Sequence, residues 1–278
     1  MITSMVVRAG DHPDIPALPI GGFAPSNEAI QIRGIDGLGP VKSDIQTTPF
    51  AVFRGESVQG PHTGKRNIVL KLGFNPSWLV NGTTAALREI LYQWFMPENN
   101  IELRFVTDER PLVFIYGIVE SFEPNIFAQD PEVQISIICP LPDFIAVDGT
   151  TVTGTTGSGS TLINYGGSVS SGFDVHITAP SAVEGQVKIT NEIGNYSAIL
   201  TLNDVTLETD APLGVNTQAT LRHVRMEYSD GSFANILNRM SKDSDWPQLR
   251  PGPNIFNIYS PTDGVTWSMF YRLRYGGL

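Results

Sequence analysis

One cysteine, four histidines and eighteen lysines and arginines are all that 278 residues supply of three chemically telling types. With a single thiol, Cys139, no disulfide can close within the chain and no cysteine zinc cluster can form. In VQISIIC that cysteine sits in the alternation of a half-buried strand and reads as a small core hydrophobe. The histidines, at 12, 62, 176 and 223, form no H-E-x-x-H pair. His176 and His223 fall in predicted strands, where a structural role is favoured over metal ligation. Basic residues are outnumbered in both halves, ten against sixteen acidic in 1–147 and eight against twelve in 148–278, so neither offers the positive field that nucleic-acid binding needs. No stretch approaches the roughly 20 apolar residues of a membrane span, and MITSMVVRAGDHPDIPALPIGG lacks a secretory h-region. Synthesis in the cytoplasm without membrane insertion is expected, and the sequons at Asn81 and Asn195 are read as chance matches.

What the chain does contain is turn-forming residues and alternation. Its 27 glycines and 20 prolines are spread without repeats, and 41% hydrophobic residues suit buried cores, which together predict a mainly β protein. One helix stands out. In GTTAALREILYQWFMP, Leu87, Ile90, Leu91, Trp94 and Phe95 form an apolar stripe, Thr83 or Thr84 can cap the start, and Pro97 ends it. Around it lie candidate strands at 29–34, 49–54, 66–74, 101–106, 112–122 and 132–139, with the clearest alternation in Ile101, Leu103, Phe105 and in Val133, Ile135, Ile137. The first half therefore reads as α+β with one helix.

Residues 148–160, DGTTVTGTTGSGS, have no side chain larger than valine and read as a flexible, protease-sensitive connection. This divides the chain into domains at 1–147 and 148–278. Beyond it, short strands follow one another with turn signals between, the pattern of a β-sandwich. In the last of them Trp267, Met269, Tyr271, Leu273 and Tyr275 share an apolar face, while Thr266, Ser268, Phe270, Arg272 and Arg274 share the other.

No motif carries catalysis. GPHTGKR, at 60–66, is one residue short of a phosphate loop and has Arg66 where the magnesium-binding hydroxyl belongs. There is no G-x-S-x-G elbow, and Asp243 and Asp245 in SKDSDW read as a solvated turn. The stretch TLINYGGSVSSGFDVHIT is followed by no helix that could complete an anion site, so Asn164–Gly167 reads as a tight turn exploiting positive φ. These readings predict a protein that is not an enzyme and needs no cofactor. A glycan hydrolase lacks a convincing carboxylate pair.

In order along the first half, IRGIDGLGP, GKRNIVLKLGF, the helix at 83–96, IELRFV, LVFIYGIVESFEPNIF and DPEVQISIICPLPDF resemble the N-terminal belt domain of the distal tail proteins of long, non-contractile-tailed bacteriophages. In the second half, LINYGGSVSSGFDVHIT resembles the N-x-G turn that opens that family's galectin-like sandwich. LRPGPNIFNIYS followed by WSMFYRLRY resembles its closing L-x-P-G-x-N and aromatic last strand. The resemblance spans most of 30–278; the first 28 residues and the 36–65 loop depart from it. It implies a virion protein that forms a homo-hexameric ring at the tail tip. The ring would join the tail-tube protein to the hub and to receptor-binding or fibre proteins, and DNA would pass through an acidic lumen without specific binding.

Ring contacts are expected from the loop between Arg54 and Arg66, with Arg54, Gly55, Gly60, Lys65 and Arg66 as interface residues. A carbohydrate-binding module is the alternative, with Trp246, Trp267 or Tyr271 to stack on a pyranose. The position of Trp267 and Tyr271 on the apolar face of their strand favours a core role for both.

Overall fold

The computed structural model describes residues 2–10, 16–23, 29–78, 83–125, 131–209 and 211–278; Asn81 and the Ile126–Phe127 part of the belt-like motif lie outside them. Two compact units emerge, Met1–Val147 together with Tyr275–Leu278, and Asp148–Arg274.

The first unit is built from β1 (Ile2–Ala9), β2 (Leu18–Phe23), β3 (Ile30–Asp36), β4 (Ser43–Pro49), β5 (Glu56–Thr63), β6 (Arg66–Phe74), α1 (Thr84–Phe95), β7 (Asn100–Thr107), β8 (Val113–Asn125), β9 (Glu132–Cys139) and the start of β10 (Phe144–Thr155). Strands run β8-β7-β1-β2-β3-β6-β9, and β9 bonds back to β8, so the sheet closes into a barrel. Closure removes the edges that would otherwise recruit stray strands. Only β2 and β3 pair in parallel along this ring. The opening residues, which no motif covered, supply β1 and β2 and place Met5, Val7 and Ile20 in the core. Inward positions alternate as the sequence predicted: Ile101, Leu103 and Phe105 are buried, as are Val133, Ile135 and Ile137.

The helix is observed where its stripe predicted it. Thr83 caps it, its hydroxyl accepting from Ala86 N at 3.1 Å, and Leu87, Leu91, Trp94 and Phe95 are buried while Ile90 is half-buried. Each fully buried large apolar side chain contributes roughly 1.5–3 kcal/mol, which anchors a helix too short to persist alone in water.

β4 and β5 stand apart from the barrel sheet as a two-stranded hairpin of their own. This corrects the expected strand at 49–54: Pro49 closes β4, residues 51–55 bend, and Phe50 N bonds Gly55 O at 3.2 Å with Gly55 at φ +115°. The apolar residues there have strand propensity, but the proline and glycine bracketing them make a turn.

The second unit is a sandwich of β11 (Thr161–Tyr165), β12 (Phe173–Thr178), β13 (Val183–Ile193), β14 (Tyr196–Leu207), β15 (Leu213–Asn216), β16 (His223–Glu227), β17 (Phe233–Asn235), β18 (Gly252–Tyr259) and β19 (Thr266–Tyr275), joined by the later part of β10. One sheet runs β17-β16-β15-β12-β19-β10 and the other β11-β18-β13-β14. Phe173, Phe256 and Trp267 meet edge-on between them, with centroids 5.4 and 5.3 Å apart.

The glycine- and threonine-rich stretch after 147 is not the flexible connection its composition implied. Residues 148–155 continue β10, because β-branched threonines suit a strand. Buried Thr156 then pins the following turn, donating to Thr262 O and accepting from Val265 N.

Candidate functional site

Two places were singled out by sequence, and the hairpin is the first. Arg54 and Gly55 lie at its exposed tip, and Gly60, at φ +129°, sits in β5 beside a register shift. Six of β4's seven residues are exposed, and the apolar side chains of Phe50, Val52 and Phe53 are 49, 84 and 77% exposed at the tip, with Ile45 and Val58 exposed along the arms. A lone two-stranded hairpin is marginal in water, and an exposed apolar cluster on one marks a surface that another body covers.

The adjacent basic pair does not act as a pair. Lys65 is exposed, whereas Arg66, the first residue of β6, is 2% exposed, which corrects its expected place on the loop surface. Its guanidinium donates to four carbonyls: Nε to Pro142 O at 2.6 Å, Nη1 to Gly37 O at 2.5 Å and Gly39 O at 2.6 Å, and Nη2 to Gly276 O at 2.6 Å. It also stacks 4.5 Å over the Phe144 ring. Burial lowers its pKa, opposed by nearby Cys139 and Asp143. Arg66 therefore ties three distant segments of the first unit to β6. Arg110 adds to this knot, bonding Gly277 O and stacking 4.9 Å over Tyr275, and Leu278 N bonds Leu38 O at 3.0 Å.

The second place is the glycine-rich stretch. Gly166 and Gly167 do not adopt positive φ, contrary to expectation. Gly167 is required for space: a Cβ there would lie 2.4 Å from the Tyr165 hydroxyl, which donates to Val169 O and accepts from Arg274 N. On the neighbouring strand, where Gly252 pairs with Tyr165, Asn254, fully buried, holds the R-P-G bend. It accepts from Arg250 N and Asn191 Nδ2, and donates to Arg250 O and Gly252 O, all within 2.8–3.0 Å. Gly252 completes the bend at φ +99°.

On the outer face of the six-stranded sheet lies a cluster that sequence reasoning missed. Arg225 Nε and Nη2 both reach Glu227 Oε1 at 2.8 Å; Glu227 Oε2 is 3.2 Å from His176 Nδ1; His176 Nε2 is 3.8 Å from Asp174 Oδ2. Hydrogen bonding to Asp174, with the charges of Asp174 and Glu227, raises the His176 pKa against desolvation and Arg225. Glu227 reaches His176 because Gly214 lies between their strands: a Cβ there would come within 2.8 Å of Glu227 Oε1. The signal was available in HVRMEY, where Arg225 and Glu227 are two residues apart and share one strand face. His223 is in register with Asn216 and Asp174, and its Nδ1 lies 3.0 Å from Leu221 O. Beside His176 a shallow groove of about 400 Å³ is lined mainly by threonines, with Ser268, Gly154 and Trp267.

Other candidates resolve into structure. Trp267 and Tyr271 are 5% exposed and belong to the core, and Trp246 packs against it with Arg222 5.3 Å over its ring, so none is a free stacking platform. The exposed aromatic of the last strand is Phe270. Residues 60–63 of the phosphate-loop-like stretch are strand. Cys139 is buried, and burial pushes its thiol up to about 12, which suppresses the nucleophilic thiolate. Among the described residues no group of three or more His, Cys, Asp or Glu side chains could hold a metal, and no helix is long and apolar enough to cross a membrane.

No family model and no curated protein matches the sequence. Solved structures do match the fold. The Dit (gp 19.1) protein of SPP1, described as a paradigm of the hub adsorption apparatus in phages infecting Gram-positive hosts, aligns with a TM-score of 0.68 over 97% of this chain and 98% of its own, at 13% identity. A chain of the phage P2 baseplate in its activated, calcium-bound conformation aligns with a TM-score of 0.50 over all of both chains, at 9% identity. The barrel-plus-sandwich architecture is thus shared with the SPP1 protein over nearly its whole length.

Proposed function

We propose that this protein is a structural component of a bacteriophage tail tip. In this reading it assembles as a homo-hexameric ring that joins the tail tube to the hub and host-recognition proteins, with DNA passing through its acidic lumen. The observation that carries the proposal is the β4–β5 hairpin, whose apolar tip at Phe50, Val52 and Phe53 is left uncovered by the chain that bears it. A head-to-tail contact repeated around a closed ring gives such a surface a partner on every subunit. The fold shared with a phage hub protein supports the same reading, as does a barrel without open edges, which leaves projecting elements to make the contacts. Of the sequence-derived interface residues, Arg54, Gly55, Gly60 and Lys65 remain in it and Arg66 leaves it, because its side chain is used within its own unit.

Native mass spectrometry of the parent, alone and with the tube protein, tests the ring. A hexamer is expected, and the variant carrying Val52→Asp and Phe53→Asp should stay folded yet monomeric. A parent that remains monomeric or dimeric under both conditions, or a doubly substituted protein that assembles as well as the parent, refutes the proposal.

A further inference from the structure

The four-stranded sheet of the sandwich has two edges, and the chain treats them differently. β14 is capped along its middle: Ser241 N donates to Thr201 O and Asp245 N to Ile199 O, each at 2.9 Å, while the Ser244 hydroxyl accepts from Thr201 N. β11, at the opposite edge, has no such cover. Among the described residues nothing bonds Thr161–Asn164 on the side away from β18. The caps on β14 also reveal which groups of β11 are left over. In an antiparallel sheet each strand turns the backbone of alternate residues to one neighbour and the rest to the other. Ile199 and Thr201 turn outward, so Ala198 and Leu200 bond Asn191 and Ile189 on β13. By the same alternation Thr190 and Glu192 bond Asn257 and Ile255 on β18, and Asn254 and Phe256 bond Ile163 and Thr161 on β11. The N–H and C=O of Leu162 and Asn164 therefore point away from the sheet. Pro253 agrees with this assignment, since it stands opposite Asn164 and has no N–H to give.

Exposed edges are ordinarily blunted with lysine, proline or a bulge. β11, TLINY, has none of these and no charge. On the outer face Leu162, 64% exposed, stands opposite Ile255, 46% exposed, and the nearest charge in that row is Glu192, one strand further in. The edge is five residues long, about 17 Å. Such a strip falls far short of the roughly 800 Å² per partner that stable pairing of two copies needs. It matches the width of one extended segment.

We infer that β11 is a docking edge for an extended, uncharged segment of another protein, which joins the sheet as a further strand beside β11. Leu162 and Asn164 supply the backbone donors and acceptors. An aliphatic side chain of the segment lies over Leu162 and Ile255. The site works from the sandwich and does not depend on whether the chain forms a ring.

The full chain is mixed with a peptide of alternating threonine and valine, about seven residues long with a lysine at each end, and in parallel with the same peptide carrying a central proline. Amide hydrogen exchange reads the edge residue by residue. In the free chain the amides of Leu162 and Asn164 should exchange about tenfold or more faster than that of Ile163, and the alternating peptide, unlike the proline peptide, should slow them about tenfold. Titration should give a Kd of about 0.05–2 mM. Leu162→Lys places a charge on the edge, and Asn164→Pro removes an outward N–H while sparing the ladder to β18; each should weaken binding about tenfold or more. Ile199→Lys, on β14 at the far edge of the sheet, should leave it unchanged. Thermal midpoints check folding; if Asn164→Pro unfolds, Leu162→Lys, which leaves the backbone alone, decides. Protected amides at Leu162 and Asn164 in the free monomer, equal binding of the two peptides, no binding at about 10 mM, or binding indifferent to Leu162→Lys overturns the inference. Sedimentation showing copies of this chain paired through the edge, and separated by Leu162→Lys, overturns it as well.

Discussion

Replacing Arg66 with methionine keeps most of its volume and removes a guanidinium that satisfies Gly37, Gly39, Pro142 and Gly276 carbonyls together. Hydrogen bonds to a charged donor are worth about 1.5–3 kcal/mol each, but desolvating the guanidinium offsets a large part of that sum. Breaking a buried charged arrangement by removing one side costs about 3–5 kcal/mol net. In a unit of this size each kcal/mol lowers the thermal midpoint by about 2–4 °C, so a fall of roughly 6–20 °C is expected for the transition of the first unit. Differential scanning calorimetry of Arg66→Met and Arg66→Lys measures it; lysine, a point donor, cannot span four divergent carbonyls and should recover only part. Lys65→Glu, on an exposed side chain, should stay within about 0.5 kcal/mol of the parent. A change of less than about 1 kcal/mol for Arg66→Met would refute the reasoning. Reversing the charge at 65 and 66 together cannot report on ring contacts, because the change at 66 strikes the fold first.

Asn254→Leu should destabilise the sandwich by about 2–3 kcal/mol in urea unfolding, since the fully buried Asn254 side chain alone serves both backbone groups of Arg250, Gly252 O and one Asn191 donor; a loss below about 1 kcal/mol would show that water replaces it. His176 has a folded pKa raised above its unfolded value by Asp174 on its own strand and Glu227 on β16, against Arg225. Its contribution is therefore fully present below about pH 6.5 and fades as pH rises through the folded value. The midpoint difference between parent and His176→Gln should be larger at about pH 5.5 than at about pH 8.5, and a difference that grows with pH would contradict the assigned partners.

Helix α1 and the alternating barrel strands were legible because burial imposes a period on the side chains themselves. The core positions of Trp267 and Tyr271 were legible for the same reason. The role of Arg66 was not, because its partners are backbone carbonyls at 37, 39, 142 and 276. Any residue supplies a carbonyl, so no residue type at those positions announces the contact. Residues 148–155 misled because Asp148, Gly149 and Gly154 weigh toward a loop while the interleaved threonines, stiff at χ1, favour the strand they form. The ionic row failed to stand out because its members come from separate strands, and only the pairing of β12, β15 and β16 brings them into line.

The return of residues 275–278 to the first unit sets an order on biosynthesis. A ribosome releases the barrel sequence long before those four residues exist. Until they emerge, the Arg66 guanidinium lacks its Gly276 carbonyl, Arg110 lacks the Tyr275 ring and Gly277 O, and Leu38 O lacks Leu278 N. The barrel is thus finished only after the sandwich has been made. A nascent chain that stalls anywhere in the second unit carries a first unit whose central buried cation is short of a partner. Such a chain unfolds more readily and is the more exposed to proteases for it, so the stability of the barrel depends on β19 and the residues after it having been made.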